Sequence, residues 1–180
     1  MSMDVGLLLV AHRARIISRS CQLNHSGMVA CHLSLKAVQD ILNSSDVLGQ
    51  LTVVCINSPN DVVVAGPLDS LHKLITVCQS MNVKATKLDV PMGFHSSAMD
   101  PILDEFRNQL SSVKLGYPVL PLGSSLYGRS FSLGEKIPVD YFAQQARQPI
   151  EFCKLAENIA QNHPKEKLVF LEIGPSPTSK

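Results

Sequence analysis

The sequence contains no tryptophan and little charge of either sign. Charged residues make up 17% of the 180 residues, and 16 Lys and Arg stand against 15 Asp and Glu, which gives a formal net charge of +1. A one-sign electrostatic field that would attract nucleic acid or an anionic membrane surface is therefore lacking. We predict no nucleic-acid and no membrane partner.

Long hydrophobic runs are also absent. The apolar run 5–11 is too short to cross a bilayer, and a basic segment follows it without a small-residue cleavage site. We interpret this run as the buried side of a helix. We therefore expect a cytoplasmic protein.

Motifs for disulfides, metals and nucleotides are missing as well. The cysteines number five, an odd count, and no C-x-x-C occurs, which favours a reducing compartment over a disulfide framework. No His, Cys, Asp or Glu cluster has metal-ligand spacing, and neither a Walker loop nor a dinucleotide fingerprint is present. We predict no bound metal and no nucleotide cofactor.

Helical and strand patterns alternate along the first half of the chain. Residues 4–21 have apolar side chains at helical spacing, which predicts one amphipathic helix. Residues 27–90 then predict the order β-α-β-β-α-β, in the segments "GMVACHL", "SLKAVQDILN" with Ser34 as N-cap, "LTVVCIN", "DVVVAGP", "LDSLHKLITVCQSMN" and "VKATKLDV". This order is that of a ferredoxin-like, or split βαβ, arrangement.

The second half predicts helices and two further strands. "SAMDPILDEFRNQLSSV" indicates a helix, "YPVLPLGSSL" a strand, "VDYFAQQARQPIEFCKLAENIAQNH" two helices interrupted at Pro149, and "KLVFLEIGP" a last buried strand. We divide the chain into a leading helix of a large α/β lobe (1–26), a small subdomain (27–90) and the C-terminal part of the large lobe (91–180).

His95 is the strongest candidate for chemistry. It lies in "PMGFHSSAMDP", after a predicted strand and turn and before a predicted helix, where ligands gather. Histidine is suited to general acid–base catalysis near neutral pH. The other five histidines lie on predicted helices, beside a strand or in a polar loop. We expect Ser96 and Ser97 to cap the following helix rather than to react.

A nucleophile for His95 is not evident. The elbow G-x-S-x-G occurs nowhere in the 180 residues, and in the nearest match, "GSSLYG", Tyr127 stands in place of the second glycine. We interpret Ser125 as a turn serine. Arg13 and Arg15 are two positions apart on the leading helix, so one can face inward, where it needs an anionic partner.

Four segments in this order carry a family resemblance: "INSPNDVVVAG", "LDVPMGFHSSAMDPIL", "YFAQQARQPIEF" and "LEIGP". Together they resemble the malonyl-CoA:acyl-carrier-protein transacylase family, especially the acyltransferase domains of fungal-type iterative polyketide synthases. The resemblance implies an α/β fold, the remnant of an α/β-hydrolase-like core with an inserted ferredoxin-like subdomain. It also implies ping-pong transfer of malonyl from malonyl-CoA to the phosphopantetheine thiol of an acyl carrier protein, in polyketide or fatty acid biosynthesis.

The same resemblance implies roles for individual residues. His95 corresponds to the family's catalytic base and acid, and Arg13 to the arginine that clamps the free carboxylate of malonyl. Phe94 stands where malonyl-using members carry a bulky ring and methylmalonyl-using members a smaller residue. Gln145 corresponds to a residue whose backbone orients the histidine, and "EIGP" to a turn near it.

The sequence departs from the family pattern in one respect. The family's nucleophile elbow, Gly-His-Ser-x-Gly, precedes the arginine, and these residues do not include it. We expect the chain alone to be inactive, with the remainder of a polyketide synthase or a missing N-terminal half as its partner beside the carrier protein. Two alternatives stay open: a non-catalytic interaction module for a carrier protein or synthase, and a serine hydrolase or thioesterase that pairs His95 with another serine.

Overall fold

Helix α1 (Met3–Ser20) opens the described part of the chain, as the apolar spacing predicts. The computed structural model describes residues 3–165 and 167–173. Within them, no helix is long and apolar enough to cross a membrane. Leu9 and Ile16 of α1 are buried, whereas Leu7, Leu8 and Val10 are exposed. The prediction that the run 5–11 forms the buried side of a helix is therefore wrong for these three residues. The reason is that α1 packs mainly on the later helical segments, which leaves other faces of the helix exposed.

A four-stranded antiparallel sheet follows α1. The elements are β1 (Ser26–Cys31), α2 (Leu35–Leu42), β2 (Thr52–Ser58), β3 (Asp61–Pro67), α3 (Leu68–Ser80) and β4 (Ala85–Lys87). The strands lie in the order β2-β3-β1-β4, and every neighbouring pair is antiparallel. The predicted element order is confirmed, although β4 is only 3 residues long and thus shorter than expected.

The sheet separates two apolar cores because side chains alternate between its faces. Val62 and Val64 of β3 pack with helices α2 and α3 on one face, whereas Val63 and Ala65 belong to a core on the other face. The ring of Phe94 packs against this second core. The sheet thus supports the segment that carries His95.

The remaining elements are mostly helical. They are a 3₁₀ helix (Ser97–Ile102), α4 (Leu103–Ser111), the antiparallel pair β5 (Leu122–Ser124) and β6 (Arg129–Phe131), α5 (Tyr141–Arg147) and α6 (Phe152–Asn162). The single helix predicted from Ser97 is therefore a 3₁₀ helix that leads into α4. Pro101 accounts for this difference, since proline has no amide hydrogen and restricts the residue before it.

The link between α5 and α6 joins the two halves of the molecule. Ile150 forms a parallel bridge with Cys55 of the edge strand β2. Its amide donates to the carbonyl of Val54 and its carbonyl accepts from the amide of Ile56, both at 2.8 Å. The predicted interruption at Pro149 is confirmed, and it frees the chain to make this contact.

The predicted last strand, "KLVFLEIGP", is not observed. Residues 167–173 have no regular secondary structure, and Val169, Phe170, Leu171 and Ile173 are all exposed. A strand requires a neighbour for its backbone hydrogen bonds, and no described strand pairs with this segment. Gly174 and Pro175 lie outside the described residues.

Candidate active site

The backbone of His95 has a left-handed conformation, with φ of 59°. Such a conformation costs a non-glycine residue about 1–3 kcal/mol and persists only where its surroundings enforce it. The Oγ of Ser26 accepts from the amide of Gly93 at 2.9 Å, and the Oγ of Ser96 donates to the carbonyl of Gly93 at 2.6 Å. Ser96 also accepts from the amide of Ala98, at 3.2 Å. These hydrogen bonds fix Gly93 and Ser96, which lie on either side of His95 in the chain.

The predicted capping role is confirmed for Ser96 and is wrong for Ser97. Ser96 is the N-cap of the 3₁₀ helix and is buried. Ser97 is the first residue of that helix, and its side chain is exposed to solvent. The difference follows from local geometry, since only the residue just before the first turn can accept from the free amides.

The imidazole of His95 is oriented by the end of α5. Its Nδ1 lies 2.9 Å from the backbone oxygen of Gln145, so Nδ1–H donates to that carbonyl. In a helix this carbonyl would accept from the residue four positions later, but that residue is Pro149, which has no amide hydrogen. The bond leaves Nε2 with a lone pair that is free to accept a proton.

The surroundings also keep His95 neutral. Burial lowers the pKa of His95 below its usual value of 6.5. The hydrogen bond to Gln145 opposes this effect, the positive charge of Arg13 lowers the pKa further, and a backbone contact with Gln148 raises it. Because the imidazole is uncharged near pH 7, it can act as a base there.

A cavity of about 450 Å³ lies between α1, β5 and α5. Arg13 and Gln145 both line it, together with Gly6, Leu9, Val10, Phe106, Gly123, Ser125, Tyr141 and Phe142. Arg13 is partly buried and Arg15 is exposed, so the prediction that only one of them faces inward is confirmed. No carboxylate of the described residues pairs with Arg13. The cavity therefore offers an unpaired cation beside mostly apolar walls.

Phe94 has a different setting from the residues of the cavity. Its ring is partly buried and packs against two cores, the one under the sheet and the one between α1 and α4. The ring is not part of the cavity wall. The structure thus brings His95, Arg13 and Gln145 together. Phe94 lies beside them, between the core under the sheet and the core between α1 and α4.

Ser125 lies where the sequence predicts, in the turn between β5 and β6. It lines the cavity, but no hydrogen bond joins it to His95. A nucleophilic role for Ser125 has no geometric support. Within the described residues, no group of three or more His, Cys, Asp or Glu is arranged to hold a metal ion.

Sequence reasoning missed Tyr141 and Ser124. The Tyr141 hydroxyl and the Ser124 Oγ are hydrogen bonded at 2.9 Å, and both residues are buried. This bond fastens the start of α5 to the β5–β6 hairpin, and Tyr141 also lines the cavity. The only sequence signal for this hydrogen bond is a tyrosine at the start of a predicted helix, and that signal is weak.

Comparison with known sequences identifies a family. The family model "Acyl transferase domain" matches residues 1–179. The chain is 34% identical over 183 residues to the orsellinic acid synthase ArmB of Armillaria ostoyae and 36% identical over 181 residues to an orsellinic acid synthase of Beauveria bassiana. These alignments cover 99% and 96% of the chain, which spans 8% of the length of either relative.

Solved structures of similar fold lead to the same family. The acyltransferase domain of SpnD, in complex with 2-(pent-4-yn-1-yl)malonyl, matches 92% of the chain with a TM-score of 0.75 and 26% identity. The malonyl CoA-acyl carrier protein transacylase of Clostridium perfringens matches 90% with a TM-score of 0.80, and at 21% identity it supports the fold alone. The chain covers 38% and 51% of these two structures. The predicted resemblance to polyketide synthase acyltransferases is confirmed, and the chain belongs to the acyl transferase domain family.

Proposed function

We propose that this chain supplies the histidine and arginine of a domain that transfers malonyl from malonyl-CoA to the phosphopantetheine thiol of an acyl carrier protein. One observation carries the proposal: the Nδ1 of His95 is bonded to Gln145, and Gln145 lines the same cavity as Arg13, which pairs with no described carboxylate and whose charge lowers the pKa of His95. Membership of the family and the likeness to the SpnD acyltransferase domain, which was solved with a substituted malonyl, add support.

His95 would act as base and then as acid. In the first half-reaction, Nε2 takes the proton of a serine hydroxyl as the serine oxygen attacks the thioester carbonyl. The carbon–sulfur bond then breaks, and the imidazolium returns the proton to the thiolate of coenzyme A. In the second half-reaction, the phosphopantetheine thiol gives its proton to Nε2 and attacks the ester. The imidazolium protonates the departing serine.

The serine is not among these residues in a recognisable elbow, since no G-x-S-x-G occurs in the sequence. We therefore propose that a further segment or a second polypeptide supplies it. The 180 residues alone would then form no acyl-enzyme. Members of a catalytic triad act as a unit, so His95 without its serine would retain little of the rate.

Arg13 would bind the free carboxylate of malonyl. A guanidinium can donate two parallel hydrogen bonds to a carboxylate, and such charge-assisted bonds are stronger in a partly desolvated cavity. The walls around Arg13 are largely apolar, and no described carboxylate competes for it. Arg13 is thus suited to select an acyl group that carries a negative charge.

Phe94 would favour malonyl over methylmalonyl. This preference is carried over from the family resemblance: the ring lies next to His95 and packs against two cores, although it does not line the described cavity. We expect a smaller residue at this position to relax the preference. The choice of carrier protein and of acyl group would be a property of the complete transferase and not of this chain alone.

We further infer a two-part architecture. Residues 27–90 would form a ferredoxin-like subdomain, inserted between segments 1–26 and 91–180 of an α/β-hydrolase-like lobe. The antiparallel sheet order β2-β3-β1-β4 supports the first assignment. No metal or organic cofactor is needed for the proposed steps.

The partner of this chain would be the remainder of an acyltransferase domain within a polyketide synthase. Leu7 and Val10 of α1 expose 64% and 63% of their surface, and Val169 and Ile173 expose 83% and 91%. Leu7 and Val10 lie one helical turn apart on α1, and neighbouring exposed apolar side chains are typical of an interface. The solved structures contain additional chain that could cover them, since this chain spans about half of the Clostridium perfringens protein.

The test combines the chain with a polypeptide that carries the elbow of a fungal relative. Labelled malonyl-CoA and a carrier protein are added, and label on the carrier protein is measured. We expect no transfer by either polypeptide alone, transfer by the pair, and a loss of about 10³-fold or more with His95→Asn. Asparagine tolerates the left-handed backbone and keeps an N–H donor, but it cannot accept the serine proton.

The matched control is His72→Asn, an exposed histidine on α3. It should leave transfer unchanged. Transfer by the 180 residues alone would contradict the need for a second segment, and transfer by the pair that survives His95→Asn would contradict the role of His95. Labelling of the chain alone by a fluorophosphonate probe would instead favour a serine hydrolase.

The exposed apolar side chains of α1 also favour a second candidate, a non-catalytic docking module for a carrier protein or a synthase chain. This candidate predicts saturable binding of carrier protein that survives His95→Asn, together with no transfer in any combination. Absence of carrier-protein binding would exclude the carrier-docking form of this candidate.

A further inference from the structure

An ion pair connects the two elements that hold His95. The Nε of Arg147 donates to the Oδ1 of Asp100. Asp100 belongs to the 3₁₀ helix that begins just after His95, and Arg147 is the last residue of α5. The pair thus spans the gap between the backbone of the histidine and the helix end that binds its ring.

The end of α5 is held by the buried Ala146 and by the contact of Ile150 with β2, and the ion pair adds a side-chain contact to the 3₁₀ helix. Helix α5 is 7 residues long and stops before Pro149, so its last carbonyls have few helical donors. One of these carbonyls, that of Gln145, is the acceptor for His95. A short helix frays at its ends unless tertiary contacts fix them. Arg147 is placed where it can prevent this fraying.

The exposure of the pair also indicates what it does. The side chains of Arg147 and Asp100 are 31% and 54% exposed. Ion pairs this exposed contribute little to overall stability. A contact of this kind can nevertheless decide the position of one helix turn by a fraction of an ångström, which is the scale on which a catalytic hydrogen bond is made or lost.

We propose that Asp100 and Arg147 are positioning residues for His95. Their ion pair keeps the last turn of α5 against the 3₁₀ helix, so that the Gln145 carbonyl holds the proton of the neutral imidazole on Nδ1 and leaves Nε2 free. The functional meaning rests on the proposed role of His95 as the base. The positioning itself is measured without any transfer reaction, so its failure is distinguishable from failure of the proposed function.

A matched control exists on the same helix. The Nε of Arg107 on α4 donates at 2.8 Å to Asp140, the N-cap residue of α5. This pair has the same chemistry and also ties α5 to a neighbouring helix. It lies at the opposite end of α5 from Gln145, so it should not affect the ring of His95.

The test uses the 180-residue chain with ¹⁵N-labelled histidine, studied by NMR about two pH units above the usual histidine pKa. The nitrogen shifts of His95 report which nitrogen carries the proton. We expect mainly the Nδ1–H form in the unmodified chain. With Arg147→Gln, the ratio of Nε2–H to Nδ1–H should rise about threefold to tenfold, the change expected when one neutral hydrogen bond is weakened.

Conservative variants complete the test. Arg147→Lys keeps the charge and should restore most of the Nδ1–H form, and Arg107→Gln should leave the ratio unchanged. Asp100→Asn, which is close in shape to the native residue, replaces Arg147→Gln if that variant does not fold. An unchanged ratio in a folded Asp100→Asn or Arg147→Gln chain would overturn the proposal. An equal shift with Arg107→Gln would also overturn it, since the effect would then be a general loosening of α5.

Discussion

The Nδ1 of His95 is hydrogen bonded to the backbone oxygen of Gln145, at 2.9 Å. This carbonyl is free to accept because the residue four positions later is Pro149, which has no amide hydrogen. The side chain of Gln145 takes no part in the bond. A break in a helix, rather than a particular side chain, therefore supplies the group that orients the histidine.

The first prediction follows from this arrangement. Pro149→Ala introduces an amide that can continue α5 and compete for the Gln145 carbonyl. Because the bond to Gln145 raises the pKa of His95, its loss should lower that pKa further. Gln145→Ala should leave the bond in place. An NMR titration of His95 in both variants checks this, and a larger shift with Gln145→Ala than with Pro149→Ala would show that the side chain matters after all.

A second prediction concerns the charge of Arg13. This charge lowers the pKa of His95, so Arg13→Ala should raise it towards 6.5. Arg15→Ala removes the same charge from the same helix at an exposed position and should have little effect, because water and salt screen it. The two titrations should be run at equal ionic strength. Equal shifts in both variants would show that Arg13 acts only through net charge.

The dependence of stability on pH is the third prediction. The pKa of His95 is lowered in the folded state, so below pH 6.5 the unfolded chain binds the proton more readily than the folded chain. The contribution of His95 to the free energy of unfolding is therefore fully present above about pH 6.5, and it is lost progressively as the pH falls from there through the lower folded-state pKa. His95→Asn should lack this contribution. Urea unfolding of both chains at several pH values measures it, and parallel curves for the two chains would contradict the prediction.

Local patterns were sufficient for much of the fold. Ser34 caps α2 by accepting from the amide of Ala37 at 3.3 Å, and Pro149 separates α5 from α6, both as predicted. Such features depend on residues close together in sequence, and their chemistry is the same in any fold. The order of strands and helices in residues 27–90 was predictable for the same reason.

Tertiary relationships were not predictable in this way. The pattern of α1 gives Leu8 an inward position, but the helix contacts few described elements and Leu8 is 55% exposed. Asp100 and Arg147 are both polar residues in helical segments, and nothing local links them. The candidate site was identified in part through resemblance, which supplied Arg13 and Gln145. The free carbonyl and the ion pair became visible only when α5 and the 3₁₀ helix were placed side by side.

The last prediction concerns the attachment of α5 to the β5–β6 hairpin. Tyr141→Phe keeps the ring, which stacks edge-on against Tyr127, Phe131 and Phe142, but removes the hydroxyl that bonds Ser124. The Ser124 Oγ keeps the amide of Tyr127 as its partner at 3.2 Å, so its oxygen does not become wholly unsatisfied. We expect the free energy of unfolding to decrease by about 0.5–1.5 kcal/mol, the net value of one hydrogen bond.

Tyr117→Phe is the control, because Tyr117 is 61% exposed and should change stability by less than about 0.5 kcal/mol. Chemical denaturation of the three chains measures both values. Equal losses in the two variants would mean that the buried bond to Ser124 contributes nothing beyond an exposed hydroxyl, and that the packing of the aromatic rings alone holds α5 against the hairpin.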